Sequence, residues 1–169
     1  MSALVILPTY QEAENIRDVL RLIRASVPEA SVLVVDDGSP DGTADLAAET
    51  GEELGQIDVL RRSEKSGLGP AYRAGFAWGI GRGHDILIEM DADGQHDPAV
   101  LPQLVAAVDD SGADLAIGSR YVPGGAVPGW PANRRLLSKW GNRYIGVMLN
   151  LPVRDATAGF RAYRTTIVE

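Results

Sequence analysis

Short apolar runs alternate with helix-like segments along the first 119 residues, and this alternation restricts what the chain can fold into. The apolar runs lie at residues 3–7, 32–36, 57–61, 86–90 and 115–118, and the helical patterns at 12–25, 42–54, 71–80 and 99–108. Continuously apolar strands are typical of sheets that helices cover on both faces. With 169 residues and 45% hydrophobic content, the pattern predicts an α/β fold with a mostly parallel sheet in a single domain, residues 1–169.

Two carboxylates, Asp91 and Asp93, directly follow the fourth predicted strand. Side chains alternate along an extended chain, so both point to the same face with Cα atoms roughly 6.6 Å apart. One hard cation can bridge such a pair, and Mg²⁺ or Mn²⁺ completes its shell with water and phosphate oxygens. The pattern therefore predicts a magnesium or manganese site and a diphosphate-bearing substrate.

The composition excludes several other classes of protein. The chain contains no Cys and 2 His, which rules out disulfides, thiolate zinc sites and His-rich metal sites. No stretch approaches the ~20 apolar residues of a membrane span. The N-terminus lacks the charged start of a signal peptide. From these features we expect a cytoplasmic protein.

Charge is distributed unevenly on the two sides of Arg120. Residues 1–119 carry 8 basic and 21 acidic side chains, whereas residues 120–169 carry 8 basic and 2 acidic ones. The net charges are therefore −13 and +6, within a total of −7. A long polyanion would be repelled by the acidic part, so nucleic acid is a poor candidate partner. A phosphate group or a membrane surface fits the basic part better.

Polar loops follow three of the predicted strands. They contain Pro8, Tyr10 and Glu12 after the first strand, Asp36 and Asp37 after the second, and Asp91 and Asp93 after the fourth. Ligands of open α/β sheets bind at the carboxyl ends of the strands, near the point where strand order reverses, so we expect these loops to converge. Ser39 or Asp41 would cap the following helix, and Asp37 would hydrogen-bond a base or ribose.

Other motifs explain these residues less well. An EF-hand that starts at Asp91 has His96 where Gly is needed and Pro102 where the bidentate Glu belongs. A haloacid-dehalogenase-like phosphotransferase also uses Asp-x-Asp after a strand, but its motif continues to Thr or Val where this chain has Gln95; it remains the second candidate class. Gly67 and Gly69 are interpreted as a tight turn and a close helix contact, not as a dinucleotide fingerprint.

Taken together, six segments resemble the inverting family-2 glycosyltransferases of the GT-A fold, and among them the dolichol-phosphate or polyprenol-phosphate mannosyltransferases. The segments are residues 7–16 (LPTYQEAENI), 35–43 (VDDGSPDGT), 67–69 (GLG), 91–96 (DADGQH), 118–121 (GSRY) and 159–161 (GFR). The resemblance implies that Pro8, Tyr10, Glu12, Val35 and Asp37 line the nucleotide pocket. It implies that Asp91, Ala92, Asp93 and Gln95 meet the metal and diphosphate, with Asp91, Asp93 and Gln95 as metal ligands. Arg120 would face the phosphates, and Arg134 and Ser138 would hold the lipid phosphate.

The activity implied is transfer of mannose from GDP-mannose to a polyprenyl phosphate, with Asp91, Asp93 and Arg120 as the catalytic residues. A bound Mg²⁺ or Mn²⁺ would stabilise the leaving diphosphate. The acceptor phosphate is already largely ionised at neutral pH, since its second pKa is near ~6. Asp155 would either touch the acceptor or sugar, or cap a turn. A family-2 transferase that uses UDP-glucose or another nucleotide sugar remains an alternative.

Residues 133–149 have the spacing of an amphipathic helix. Leu136, Trp140, Tyr144 and Met148 stand four apart, with Arg135, Lys139 and Arg143 beside them. Such a helix can lie in a bilayer interface, or it can pack its apolar stripe on the sheet. The lipid acceptor implied by the resemblance favours peripheral contact with the cytoplasmic face of a membrane.

Members of this family continue past the segment that contains Gly159 into further elements. This chain stops at Glu169 and therefore resembles a family member truncated at its C-terminus. Residues 1–119 would form the donor-binding part and residues 120–169 the acceptor-side part. We expect donor binding to survive such a truncation more readily than turnover.

Overall fold

The computed structural model describes residues 1–122, 132–148 and 155–168, and a six-stranded sheet forms its centre. The strands are β1 (Ala3–Thr9), β2 (Ser31–Asp36), β3 (Ile57–Arg61), β4 (Ile86–Glu89), β5 (Leu115–Ile117) and β6 (Arg161–Arg164). Their spatial order is β3-β2-β1-β4-β6-β5. β1 pairs in parallel with β2 and β4, and β2 pairs in parallel with β3. The mostly parallel sheet and all five predicted strands are confirmed.

The sixth strand, β6, was not predicted from the sequence, and it runs antiparallel to both β4 and β5. It has four residues with arginine at each end, so it lacks the apolar run that marks the other strands. Its central Ala162 is fully buried. The terminal guanidinium groups donate instead to backbone carbonyls, Arg161 to Ala156 and Arg164 to Val108.

The described residues form five α-helices. They are α1 (Ile16–Ser26), α2 (Thr43–Leu54), α3 (Leu68–Gly81), α4 (Leu101–Asp109) and α5 (Ala132–Met148). Each predicted helix is present, with ends displaced by a few residues. α1 begins later than predicted because the Glu12 carbonyl closes a turn by accepting from Asn15 and Ile16. Leu149, the predicted end of α5, lies outside the described residues.

A 3₁₀ turn, Pro98–Val100, leads into α4. The carboxylate of Asp97 caps this turn by accepting the backbone N–H of Ala99 at 3.0 Å. Pro98 stands at the first position, where a missing N–H costs nothing, as predicted.

The strands β1, β2 and β4 are buried on both faces of the sheet, which accounts for their continuously apolar sequences. Successive residues of β1 alternate between two cores: Val5 and Leu7 pack with residues of α1 and α4, whereas Leu4 and Ile6 pack with residues of α3. In this part of the molecule the strands are therefore covered by helices on each side.

Two glycines let α3 approach the sheet closely. A Cβ on Gly75 would lie 2.4 Å from Cγ2 of Ile6, and one on Gly79 would lie 2.6 Å from Cδ2 of Leu87. The sequence-based assignment of close packing to Gly69 is wrong, because a Cβ there would meet nothing within 4 Å. Gly67, with φ of 92°, does form the turn that begins the helix, as predicted.

Candidate active site

The reversal of strand order at β1 positions the site. β2 and β4 lie on opposite sides of β1, so the loops after these three parallel strands meet at one edge. Because β6 is antiparallel to β4, the described residues 155–160 that precede it reach the same edge. The predicted convergence of the loops is confirmed, and a fourth segment joins them.

Asp91, Ala92 and Asp93 alternate in exposure at the end of β4. The Ala92 side chain is buried in the main core, while Asp91 is half-buried and Asp93 is exposed. Oδ1 of Asp91 accepts from the Tyr72 hydroxyl at 3.0 Å. Oδ1 of Asp93 accepts from the backbone N–H of Gln95 at 3.0 Å, which closes a turn over Gly94. The anchored alanine thus leaves both carboxylates at the surface edge, and the Gln95 side chain is exposed beside them.

His96 holds the loop that contains Asp91 and Asp93 in place, a role that the sequence did not predict. Its Nδ1 accepts the backbone N–H of Asp91 at 3.0 Å. Its ring stacks on Phe160 with centroids 5.0 Å apart. Burial lowers the pKa of His96, with the carboxylates of Asp91 and Asp93 acting in the opposite direction. The ring is therefore neutral at pH 7, as its acceptor role requires.

Asp91, Asp93 and Gln95 offer oxygen donors that suit a hard cation. In residues 1–122, 132–148 and 155–168, no group of three or more His, Cys, Asp or Glu side chains is placed to hold a metal ion. Mg²⁺ and Mn²⁺ do not need such a cage, since one or two carboxylates with water and phosphate oxygens complete their shell. The donor set therefore fits a metal shared with a phosphate-bearing ligand.

The residues expected to line a nucleotide pocket differ in their exposure to solvent. Pro8 lies within β1, one residue before its end, and Tyr10 and Glu12 lie on the loop that follows; all three are partly exposed. The Nζ of Lys65 lies 3.9 Å from the centroid of the Tyr10 ring, a cation–π contact. Val35, in contrast, is fully buried in the core against α3. It therefore offers no surface to a nucleotide in this structure.

The two neighbouring aspartates at the end of β2, Asp36 as its last residue and Asp37 directly after it, have different roles, and both are buried. Asp36 organises the turn: it accepts from the Thr9 hydroxyl at 3.0 Å and from the N–H and hydroxyl of Ser39 at 2.9 and 2.6 Å. Asp37 instead holds the loop between β3 and α3. It pairs with Nη1 of Arg62 at 2.7 Å and accepts from the N–H of Ser66 at 3.1 Å.

The predicted capping role falls to Asp41. Its Oδ1 accepts the N–H of Thr43 at 3.1 Å and the Thr43 hydroxyl at 2.6 Å, at the start of α2. The Thr43 hydroxyl in turn accepts the N–H of Glu12 at 3.0 Å. The start of α2 is thereby joined to the loop after β1.

Arg120 and Asp155 form a bidentate ion pair on the acceptor side. Nε of Arg120 lies 2.8 Å from Oδ2 of Asp155, and Nη2 lies 2.7 Å from Oδ1. Burial alone would raise the pKa of Asp155, but the hydrogen bonds from Arg120 outweigh it and lower that pKa. Nη2 of Arg120 also donates to the Thr157 hydroxyl at 2.9 Å. Arg120 therefore braces residues 155–157.

α5 attaches to this pair through polar side chains. The amide of Asn142, which is buried, donates to Asp155 at 3.2 Å. The Tyr121 hydroxyl donates to Oγ of Ser138 at 2.8 Å. The structure thus brings Ser138 and Arg120 into one network. The side chains of Arg134, Arg135 and Lys139 lie outside the described residues.

The apolar stripe of α5 faces away from the sheet. Leu136, Leu137, Trp140, Tyr144 and Met148 are 55–72% exposed. Trp140 and Tyr144 stack on each other with centroids 6.0 Å apart. The alternative in which this stripe packs on the sheet is therefore wrong. Within the described residues no helix is long and apolar enough to cross a membrane.

Comparison with known proteins identifies the family. The model of "Glycosyl transferase family 2" matches residues 4–169. Polyprenol monophosphomannose synthase of Mycolicibacterium smegmatis is 52% identical over 98% of this chain and 63% of its own length. Undecaprenyl-phosphate mannosyltransferase of Micrococcus luteus is 52% identical over 97% of this chain and 67% of its own. The chain thus spans about two thirds of the length of these relatives.

A mannosyltransferase from Pyrobaculum calidifontis, solved in complex with GDP-Man and Mn²⁺, has a similar structure. It superposes with a TM-score of 0.64 at 19% identity, over 96% of this chain and 44% of that one. At this identity the likeness shows the fold, and it confirms the GT-A architecture expected from the sequence.

Proposed function

The chain belongs to glycosyl transferase family 2, and from that premise we propose that it transfers mannose from GDP-mannose to a polyprenyl phosphate. Relatives 52% identical to it are named as transferases of mannose to polyprenol or undecaprenyl phosphate, which supports the sugar and the acceptor. A structural neighbour that binds GDP-Man and Mn²⁺ supports the donor and the metal.

One observation carries the proposal: the acidic donor edge and the basic acceptor segment share a boundary. A Cβ on Gly159 would lie 3.4 Å from Oδ2 of Asp91, so residues 155–160 border the carboxylates directly. The same segment holds Asp155, the partner of Arg120. A diphosphate at Asp91 and an anionic acceptor near Arg120 would therefore be neighbours, as a direct displacement requires.

The residues divide the chemistry between the two sides. Asp91, Asp93 and Gln95 would hold a Mg²⁺ or Mn²⁺ ion, which supplies Lewis-acid stabilisation to the leaving GDP. Arg134 and Ser138 would hold the acceptor phosphate, and Tyr121 keeps the Ser138 hydroxyl in place. A general base is not needed, because a phosphate monoester with a second pKa near ~6 is already a charged nucleophile.

Arg120 would act at the boundary. Its two hydrogen bonds to Asp155 fix the plane of the guanidinium, and the bond that Asp155 accepts raises the pKa of Arg120, so the group stays charged throughout. A fixed, permanently charged guanidinium suits phosphate oxygens.

On the nucleotide side, Tyr10 offers a ring for the base, and Pro8 and Glu12 flank it. Asp37 supports the pocket by holding the Arg62 and Ser66 loop. The exposed stripe of α5 would lie in the membrane interface, where polyprenyl chains reside and where Trp, Leu and basic side chains are all stable.

Two measurements test the proposal. Calorimetric titration should show GDP binding that strengthens with Mn²⁺, and UDP binding that is weaker. Incubation with GDP-mannose and polyprenyl phosphate should yield polyprenyl-phosphate mannose, while polyprenol without phosphate should yield none. Tighter binding of UDP than GDP would favour a transferase of another sugar, and phosphate release through an aspartyl-phosphate would favour the phosphotransferase.

A further inference from the structure

We infer that Tyr72 is a positioning residue for the metal ligand Asp91, an inference that rests on the proposed metal site. The Tyr72 hydroxyl donates to Oδ1 of Asp91 at 3.0 Å, and the tyrosine side chain is almost fully buried. Nothing in the spacing of residues 72 and 91 indicates this contact. It arises because α3 crosses the sheet beside β4.

The close docking of α3 is what brings the hydroxyl within reach. Gly75 stands one turn after Tyr72 and Gly79 two turns after, both on the face that meets Ile6 and Leu87. A methyl group at either glycine would overlap a core side chain by more than real contacts allow. A helix held farther from the sheet would withdraw Tyr72 from Asp91, so the glycines and the tyrosine act together.

The hydrogen bond orients the Asp91 carboxylate. With Oδ1 held by Tyr72, Oδ2 faces Gly159, where an added Cβ would lie 3.4 Å from it, and Nε2 of His96, which lies 3.9 Å away. The backbone of Asp91 is fixed separately, through its N–H to Nδ1 of His96. Partners of this kind set the direction of a metal ligand, and their loss typically lowers metal affinity or activity by about 10–100-fold.

The chain supplies a matched control two residues earlier on the same strand. The Tyr163 hydroxyl donates to Oε2 of Glu89 at 2.9 Å, and both groups are half-buried. Glu89 belongs to no predicted metal or nucleotide contact. Replacing either tyrosine by phenylalanine therefore deletes one hydroxyl that donates to a carboxylate, Glu89 in β4 or Asp91 just after it. Of the two tyrosines, only Tyr72 adjoins the proposed metal site.

The test measures binding of Mn²⁺ by electron paramagnetic resonance, with and without GDP, in wild type, Tyr72→Phe and Tyr163→Phe. We expect Tyr72→Phe to weaken Mn²⁺ binding roughly 10–100-fold and Tyr163→Phe to leave it within about twofold. Urea unfolding of both variants reports any shared loss of stability. In an Asp91→Asn background Tyr72→Phe should cause no further loss of affinity, whereas in Asp93→Asn it should cause its full loss.

A measurement on the unaltered protein covers the case in which Tyr72→Phe folds poorly. Titration with Mg²⁺ and GDP should shift the NMR signals of the Tyr72 ring and leave those of Tyr163 unchanged. If wild type binds Mn²⁺ and GDP but Tyr72→Phe binds them equally well, or if the Tyr72 signals do not move, the inference is overturned and the proposed function stands. If wild type binds neither, the proposed function itself fails.

Discussion

Residues 1–119 and the described residues from 120 to 168 organise their charges in opposite ways. In the first part, acidic side chains at the site edge are held by the fold: Asp36 and Asp37 are both buried, and each accepts at least two hydrogen bonds. In the second part, one buried pair, Arg120 with Asp155, supports a helix whose apolar stripe is exposed. The acidic side chains of the first part are thus held in a fixed geometry, whereas the second part exposes an apolar stripe.

The two parts share one sheet, because β6 of the second part pairs with β4 and β5 of the first. His96 from the first stacks on Phe160 from the second, and Gly159 adjoins Asp91. The charge division at Arg120 is therefore not a structural division, and the loop that holds Asp91 and Asp93 lies where the two parts are in contact.

The largest effect is expected from breaking the pair that organises the second part. Asp155→Asn leaves the Arg120 guanidinium without its carboxylate, and removal of one partner from a buried pair costs about 3–5 kcal/mol. We expect urea unfolding to show a loss of free energy of that order. The effect should extend to α5, because Asn142 also bonds Asp155.

Asp114→Asn is the matched control for that change. Asp114 pairs with Nε of Arg164 at 3.6 Å but is 70% exposed, and such pairs contribute about 0–1 kcal/mol. An equal loss from the two substitutions would show that the Arg120 pair does not organise the second part.

The next effect concerns the first part. Asp93→Asn removes a negatively charged ligand from the proposed metal site. We expect the gain in GDP affinity that Mn²⁺ causes to fall by roughly 100-fold, which is the upper end of the loss typical when a metal site is disturbed. Asp97→Asn serves as the control, because Asn caps the following turn as well as Asp does. GDP affinity that is the same with and without Mn²⁺ in wild type would contradict the metal assignment.

The sequence predicted the first part of the molecule better than the second. β1, β2 and β4 are covered on both faces and leave continuous apolar runs, so they could be predicted. β3 and β5 are partly exposed and were predicted from the alternation of strands with helices. β6 could not be predicted, because it lacks an apolar run and its Arg164 donates to the carbonyl of Val108, which is distant in the chain. The loops that follow buried strands were placed correctly because topology alone brings them together.

Contacts that depend on exact docking were not predictable. Tyr72 reaches Asp91 only because two later glycines allow it, and Val35 was assigned to a pocket although its strand is fully covered. The spacing on α5 predicted an apolar stripe, but spacing does not specify which way a stripe faces. That direction is set by the polar contacts of Ser138 and Asn142.

A smaller effect tests the surface of the second part. Leu136→Ser with Trp140→Ser removes two exposed apolar side chains, and we expect binding to vesicles rich in anionic lipid to weaken roughly 30-fold, since partial insertion of each contributes about 1 kcal/mol. Leu22→Ser is the control, because Leu22 is 55% exposed on α1 in the acidic part. Equal vesicle binding by all three proteins would remove α5 from the interface.

The smallest effect is on pH dependence, and it compares the two ends of β4. Burial lowers the pKa of His84, before the strand, and of His96, after it. In the unfolded chain each histidine has a pKa of ~6.5, which is above its pKa in the folded protein. The unfolded chain therefore binds more protons as the pH falls below ~6.5. The contribution of each neutral histidine to the free energy of unfolding is complete above pH ~6.5 and declines below it. NMR titration should give both rings a pKa below ~6.5. His84→Asn and His96→Asn should each reduce the loss of stability between pH 7.5 and 5.5.

Addition of Mg²⁺ and GDP should lower the pKa of His96 further, because a cation beside Asp91 opposes a second positive charge. The pKa of His84, at the opposite edge of the sheet, should stay unchanged. A response of both histidines would mean that the ligand acts on the whole sheet and not at one edge.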